Sequence, residues 1–255
     1  MSVFTAAFRL QLTIFLHAIG RVSIVIALPF QVLIFMSITR YGGRPGLDQQ
    51  AVLAPALAGV WTMSLMLAGD IIDSDRWSGV LDVVLSAPAS FFANLLGRCA
   101  AVGALGLVCF GECWVCATVF FGADLSFSHP GWFAAGLLAT CLATAATSTV
   151  MATVFVLGRT ALAFKNALNY PIYVLGGVFV PIAVLPGWLH PLSRMIFLSW
   201  SADLLRAAAA PGPMREPWLQ LTAILLLSAA TLGAGIWCAR LVLNRIRSTG
   251  RVMAA

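Results

Sequence analysis

Charge is scarce in this chain. Only 9% of its 255 residues are Asp, Glu, Lys or Arg, and the one lysine is Lys165. A soluble domain carries about a quarter of its residues as charges to cover its surface, so a large water-exposed fold is excluded. The lysine stands in "ALAFKNALN" with no glycine-rich loop around it. No G-x-x-x-x-G-K-[ST] phosphate loop exists in the chain, which excludes nucleotide hydrolysis by this polypeptide through that motif. Histidine is limited to His17, His129 and His190, in no order that suggests a catalytic triad. His190, Ser193 and Asp203 do share one segment, but a helix lying at the lipid headgroups explains them better. The six cysteines all fall in or beside apolar runs, where cysteine behaves as a small apolar residue. Cys113 and Cys116 form a C-x-x-C, yet no His is spaced with them, so no metal site is expected.

Long apolar runs are what the sequence does have. Its composition is 61% hydrophobic, with a mean hydropathy of +0.96. About 20 apolar residues suffice for one helix to cross a bilayer. We read an all-α polytopic membrane protein, one domain over 1–255, with six spans near 22–39, 51–69, 99–121, 132–157, 166–186 and 217–239. Pro171, Gly176, Gly177 and Pro181 break the fifth. Six spans place both termini on one side, and the positive-inside rule chooses it. With cytoplasmic termini, the inner segments hold Arg9, Arg21, Arg76, Arg98, Arg159, Lys165, Arg240, Arg245, Arg247 and Arg251. The outer ones hold only Arg40, Arg44, Arg194, Arg206 and Arg215. The net charge of +6 thus reads as orientation in an inner (plasma) membrane rather than nucleic-acid binding. Residues 187–216 are too polar and Pro-rich for a further span and read as short outer helices, re-entrant with the broken fifth span.

The first residues are not read as a cleaved leader, since Arg9, His17 and Arg21 interrupt them. Phe4, Ala7, Phe8, Leu12, Phe15 and Ile19 recur at helical spacing, with Thr5, Arg9, Thr13 and His17 on another face. That pattern suggests an amphipathic helix lying in the membrane interface before the first span. The alternative is a ragged early start to that span.

Acidic residues are unevenly placed. Three of the nine fall in "DSDRWSGVLDVVLSAPASFFANLLGR", residues 73–98, and Asp70 lies just before them. Trp77, Val80, Leu81, Val84 and Leu85 make one apolar stripe of a short helix, with Asp75 as its cap and Pro88 as its end. This helix lies on the cytoplasmic side between spans two and three. Its acidic end suits a protein partner better than an anionic lipid surface.

"DRWSGVLDVVLSAP" resembles the cytoplasmic signature of the ATP-binding-cassette type-2 exporter permeases, which runs roughly Glu-Arg-x-x-Gly-Thr-Leu-Glu-x-Leu-Leu-x-x-Pro. Asp75, Arg76, Gly79, Leu81, Asp82, Leu85 and Pro88 occupy the matching places; Asp replaces Glu twice and Val80 replaces Thr. A second stretch, "NALNYPIYVLGGVFVPIAVLPGWLHPLSRMIFLSWSADLLRA", is similar to that family's fifth span and outer segment. Gly177, Phe179, Pro181, Leu185, Pro186, Trp188, Leu189, Asp203 and Arg206 take its recurring positions. The resemblance implies that Asp75, Arg76, Gly79, Leu81, Asp82, Leu85 and Pro88 form a coupling helix docked in a groove of an ATPase subunit. It implies that Gly177, Phe179, Pro181, Pro186, Trp188, Asp203 and Arg206 belong to an outer gate. ATP and magnesium would be bound by the partner ATPase and no cofactor by this chain. A second copy, or a related six-span permease, would complete the path. Read from their types alone, the first set also suffices merely to cap and orient a surface helix.

Four polar residues remain as candidates for the substrate path. Glu112, in "CFGECWVCA", stands mid-span, where a carboxylate is costly and marks a functional site by default. It could attract a cation, relay a proton, or simply bond to Thr140, Thr144 or Thr147 of a neighbouring helix. Gln31, Asn166 and Asn169 are the other three. "TAATSTVMATVF", rich in small and hydroxyl residues, has the composition of a close helix–helix contact. The function expected is the permease subunit of an ATP-driven exporter of an amphiphilic, drug-like or lipid-like molecule. Alternatives are a proton-coupled carrier using Glu112, an exporter of a polysaccharide or glycolipid, and a membrane-embedded enzyme.

Overall fold

The computed structural model describes residues 2–17, 19–43, 48–77, 79, 91–123, 127–157 and 161–249. Among these, every regular element is helical. In chain order they are α1 (Val3–His17), α2 (Ile19–Tyr41), α3 (Asp48–Trp77), α4 (Phe91–Phe121), α5 (Pro130–Leu157), α6 (Ala161–Leu175), α7 (His190–Arg194), α8 (Phe197–Ala209) and α9 (Pro217–Thr249). Two short 3-10 turns, Ile182–Val184 and Gly187–Leu189, join α6 to α7.

Local chemistry sets several of these limits. Pro130 and Pro217 open α5 and α9, where a missing N–H costs nothing and φ is already helical. Gly122 closes α4 at φ 57, a left-handed conformation that a side chain resists. Its N–H bonds to Thr118 O, and Ala123 N–H reaches back to Ala117 O, so two terminal carbonyls are satisfied.

Among the described residues, four helices are long and apolar enough to cross a membrane: Asp48–Ala68, Phe92–Phe121, Pro130–Val154 and Pro217–Leu241. They coincide with the second, third, fourth and sixth expected spans. The first expected span falls within α2, whose described apolar stretch is the shorter Ile26–Tyr41. The fifth expected span runs to residue 186, but its helix stops at Leu175. Pro171 lies inside α6 without ending it. The break is made by Gly176 and Gly177. The initial segment is helical over Val3–His17, as its periodicity suggests, and α2 is described from Ile19.

The hub of the fold is α3. Its membrane window is 89% buried, against 11% for α9, so α3 is wrapped by protein while α9 is bare on most sides. Around α3 pack α2, α4, α5, α6 and α8; α9 lies along α5, and α1 along the start of α4. The hydroxyl-rich stretch of α5 serves packing. Thr140, Thr144, Thr147, Ser148, Thr149 and Thr153 each donate to the carbonyl four residues back, which removes their polarity from the interface. Ser148 also meets Ser64 of α3, oxygen to oxygen at 2.9 Å. Small residues let the backbones close in. A Cβ at Gly103 of α4 would stand 2.6 Å from the Cys141 carbonyl oxygen of α5.

Candidate functional site

The acid-rich stretch is built differently from its sequence reading. Asp75 does not cap a new helix, because α3 runs unbroken through Asp70, Asp73, Asp75 and Arg76 to Trp77. The reason is continuity: nothing between Gly69 and Trp77 breaks the ladder, and the turn comes at Gly79, with φ 67. Gly79 is exposed, and nothing stands within 4 Å of the position a Cβ would take. The electrostatic reading therefore reverses. Asp75 stands in the last turn of α3 and Asp73 just before it, at the negative end of a long helix dipole, where a carboxylate is disfavoured by about 0.3–1 kcal/mol, while Asp70 lies two turns in. Helix stability does not account for their presence. Leu81, Asp82, Leu85 and Pro88 lie outside the described residues, while Trp77, the expected start of the short helix, lies at the end of α3.

The opposite end of the fold holds a tighter constellation. Gly176 N–H bonds to Ile172 O and Val178 N–H to Tyr173 O, which ends α6 with Gly177 at φ 65. Arg206 of α8 reaches across to this turn. Its Nη2 donates to the carbonyl oxygens of Gly177 and Val178, the latter at 2.6 Å. Asp203, one turn earlier on α8, takes Arg194 Nη1 on Oδ2 at 2.7 Å and stands 4.0 Å from Arg206 Nη1 through Oδ1. Burial works against the charge of Arg206, and Asp203 supports it. Arg194 lies over the Trp200 ring, 4.5 Å from its centre, while the Trp200 indole N–H donates to the Arg194 carbonyl at 2.9 Å. The result is an Arg–Asp–Arg chain that ties α7 and α8 to the end of α6.

Phe179 continues the tie toward α2 and α3. Its ring stacks on Phe35 of α2 at 5.5 Å and meets Tyr173 of α6 edge-on at 5.1 Å. The Tyr173 hydroxyl bonds in turn to Thr62 of α3. Gly177, Phe179, Asp203 and Arg206 are thus brought together as one unit. Pro181 and Pro186 stand apart, each before a 3-10 turn, and Trp188 is exposed on the second turn. Sequence reasoning missed Arg194, Tyr173 and Phe35, whose partners lie on other elements and leave no local pattern.

The path candidates do not converge in this way. Gln31 is exposed on α2, Glu112 is half-buried on α4 and Asn169 half-buried on α6. The side chain of Asn166 lies outside the described residues. Glu112 Oε2 is buried and has no hydrogen-bond partner among the described residues. Thr140, Thr144 and Thr147 donate to carbonyls of their own helix. Asn169 Oδ1 is likewise buried without a partner.

A second polar link passed unnoticed in the sequence. Gln11 of α1 is 1% exposed and Arg98 of α4 is 3% exposed. Arg98 Nε donates to Gln11 Oε1 at 2.9 Å. Ala7, Gln11 and Phe15 form the buried face of α1, so its inward stripe carries a glutamine among apolar residues.

Comparison with curated proteins returns no match. The family model for the ABC-2 type transporter matches residues 7–209, a range that includes both the acid-rich end of α3 and the Arg194–Asp203–Arg206 chain. Helices able to cross a membrane four times, together with that match, make this a multi-pass membrane protein carrying an ABC transporter permease domain. The chain belongs to the ABC-2 type transporter family.

Proposed function

We propose that the chain is the membrane subunit of an ATP-driven exporter, powered by a separate ATPase subunit that binds ATP and magnesium. The observation that carries this reading is the placement of Asp70, Asp73 and Asp75 at the C-terminal end of α3, inside the family match. Carboxylates disfavoured by their own helix make sense where a partner's cationic groups meet them. In this reading the segment from Asp75 to Pro88 docks on the ATPase, and closure of the ATPase pair pushes on α3. The six-span arrangement, cytoplasmic termini and an inner membrane location belong to the same proposal, with α2 as the first span and α6 plus the following turns as the broken fifth. A second copy would complete the path. The apolar face of α2, with Phe30, Ile34 and Ile38 all more than half exposed beside Gln31, supports that role. The Arg194–Asp203–Arg206 chain and Phe179 act as the outer gate. The ligand is an amphiphilic small molecule, because the faces around Gln31 and Asn169 offer few polar groups in apolar surroundings.

The test is purification of the tagged chain from its native membrane, with mass-spectrometric identification of what comes with it. A phosphate-loop ATPase that co-purifies with the parent, but not with Gly79→Pro or Asp82→Lys, supports docking. A chain that purifies alone and moves substrate under a proton gradient sinks the proposal. Glu112 gives that second reading its one specific support, an unpartnered buried carboxylate oxygen within a membrane helix.

A further inference from the structure

Beside the gate chain lies a cavity that the transport reading does not use. Its volume is about 410 Å³, and it is lined by Arg194, Trp200, Arg215, Glu216, Leu219 and Gln220. It opens between two separate parts of the fold, α7–α8 on one side and the first turns of α9 on the other. Two guanidinium groups border it. Arg194 has one described acceptor, the Asp203 carboxylate, and its side chain remains 40% exposed. Arg215 is exposed and makes no ion pair among the described residues. Gln220 Oε1 is buried and has no hydrogen-bond partner among them.

The surroundings place this cavity at a membrane interface. Trp188, Met195 and Trp218 are each about 70% exposed or more, and Leu219 lies half-exposed on the rim. Trp218 packs edge-on against Trp132 at the start of α5, 4.6 Å between ring centres. Exposed tryptophans gathered at the ends of membrane helices mark headgroup depth. At that depth the abundant anion is a lipid phosphodiester. Arginine is the side chain suited to it, since its planar fork presents paired donors to phosphate oxygens.

We propose that this cavity binds the phosphodiester of a phospholipid headgroup, between Arg194 and Arg215. Glu216 on the rim disfavours a second negative charge and suits a headgroup bearing an amine. Leu219 meets the start of the acyl chains. The lipid bridges α7–α8 to α9, bracing the gate chain against the last membrane helix. This holds whether or not the chain also transports a lipid.

The experiment uses the full chain in detergent, titrated with phosphatidylethanolamine and read by native mass spectrometry. Diacylglycerol with the same acyl chains is the phosphate-free control. We expect one tightly held phosphatidylethanolamine per chain, at least tenfold weaker binding in Arg215→Glu, and no tight diacylglycerol binding. Arg215 makes no ion pair among the described residues, so the variant should fold; a melting temperature equal to the parent's without lipid verifies this. Added phosphatidylethanolamine should raise the melting temperature of the parent by about 2–4 °C, but not that of Arg215→Glu. Equal retention by parent and variant, or equal retention of diacylglycerol, overturns the proposal. Displacement of the lipid by millimolar inorganic phosphate also overturns it, by assigning the cavity to a soluble anion.

Discussion

Replacing Arg206 by alanine tests the tie between α8 and the end of α6 most directly. Its side chain is 14% exposed, and its Nη2 serves the carbonyls of Gly177 and Val178. Each bond from a charged donor contributes about 1.5–3 kcal/mol. The sum must be reduced, because water can enter the space the guanidinium leaves and because Asp203 keeps Arg194 as a partner. A net loss of about 3 kcal/mol is expected for Arg206→Ala. For a domain of this size that lowers the melting temperature by roughly 6–12 °C. Arg206→Lys should fall between, since an ammonium keeps the charge near Asp203 but cannot span two carbonyls in one plane. The assay is the fraction of monodisperse protein left after heating in detergent, read by size-exclusion chromatography. If Arg206→Ala melts within 2 °C of the parent, or if the lysine and alanine variants melt together, the tie is not structural and the reasoning fails.

The other predictions rest on single contacts. Gly103→Leu drives a side chain into the Cys141 carbonyl of α5 and should destabilise by about 2 kcal/mol or more, seen as a drop in monodisperse yield; a normal yield would show that the two helices do not approach this closely. Glu112→Gln should leave ATP-driven transport in vesicles intact, whereas a carrier that uses this carboxylate for protons would lose all activity. Tyr173→Phe removes the bond to Thr62 with little change of shape and should cost about 1 kcal/mol of stability. In the exporter reading it also weakens substrate stimulation of the partner's ATPase, while co-purification is unchanged.

Much of the helical plan was legible because it depends on composition summed over long stretches. Four of the expected spans fall on helices of crossing length, and the helical spacing at the start of the chain matches α1, which buries Ala7, Gln11 and Phe15. Two errors have a common cause. Asp75 reads as a helix cap because aspartate favours that place, yet the same residue is tolerated inside a helix whose burial elsewhere supports it. Pro171 reads as a breaker, yet α6 passes through it and stops at glycines instead. In both, tertiary packing overrides a local preference of about 1–3 kcal/mol. Asp203 and Arg206 were legible through the Asp-x-x-Arg that the resemblance supplies, but Arg194 and the carbonyls of Gly177 and Val178 were not. Those partners become neighbours only after the chain reverses between α6 and α8.

The arrangement also bears on how a push at one end could be felt at the other. α3 is the most buried helix, and a buried helix packed on all sides moves as a rod or not at all. Its acidic end at Trp77 lies 15 residues beyond Thr62, about 22 Å along the axis. Thr62 bonds Tyr173, Tyr173 meets Phe179, and Phe179 follows directly on the turn that Arg206 holds. Contiguity of this kind offers a physical route for mechanical coupling. What gives it weight is the contrast between its two ends. The Arg206 end is tied by charge-assisted bonds to backbone, while the Asp75 end carries carboxylates that its own helix dipole disfavours. In the exporter reading, a cationic surface that meets the Asp75 end of α3 gains free energy from a carboxylate that the helix dipole disfavours. In that reading the gain is largest for whichever position of α3 presents the carboxylate best, so docking would bias the helix before any ligand is bound.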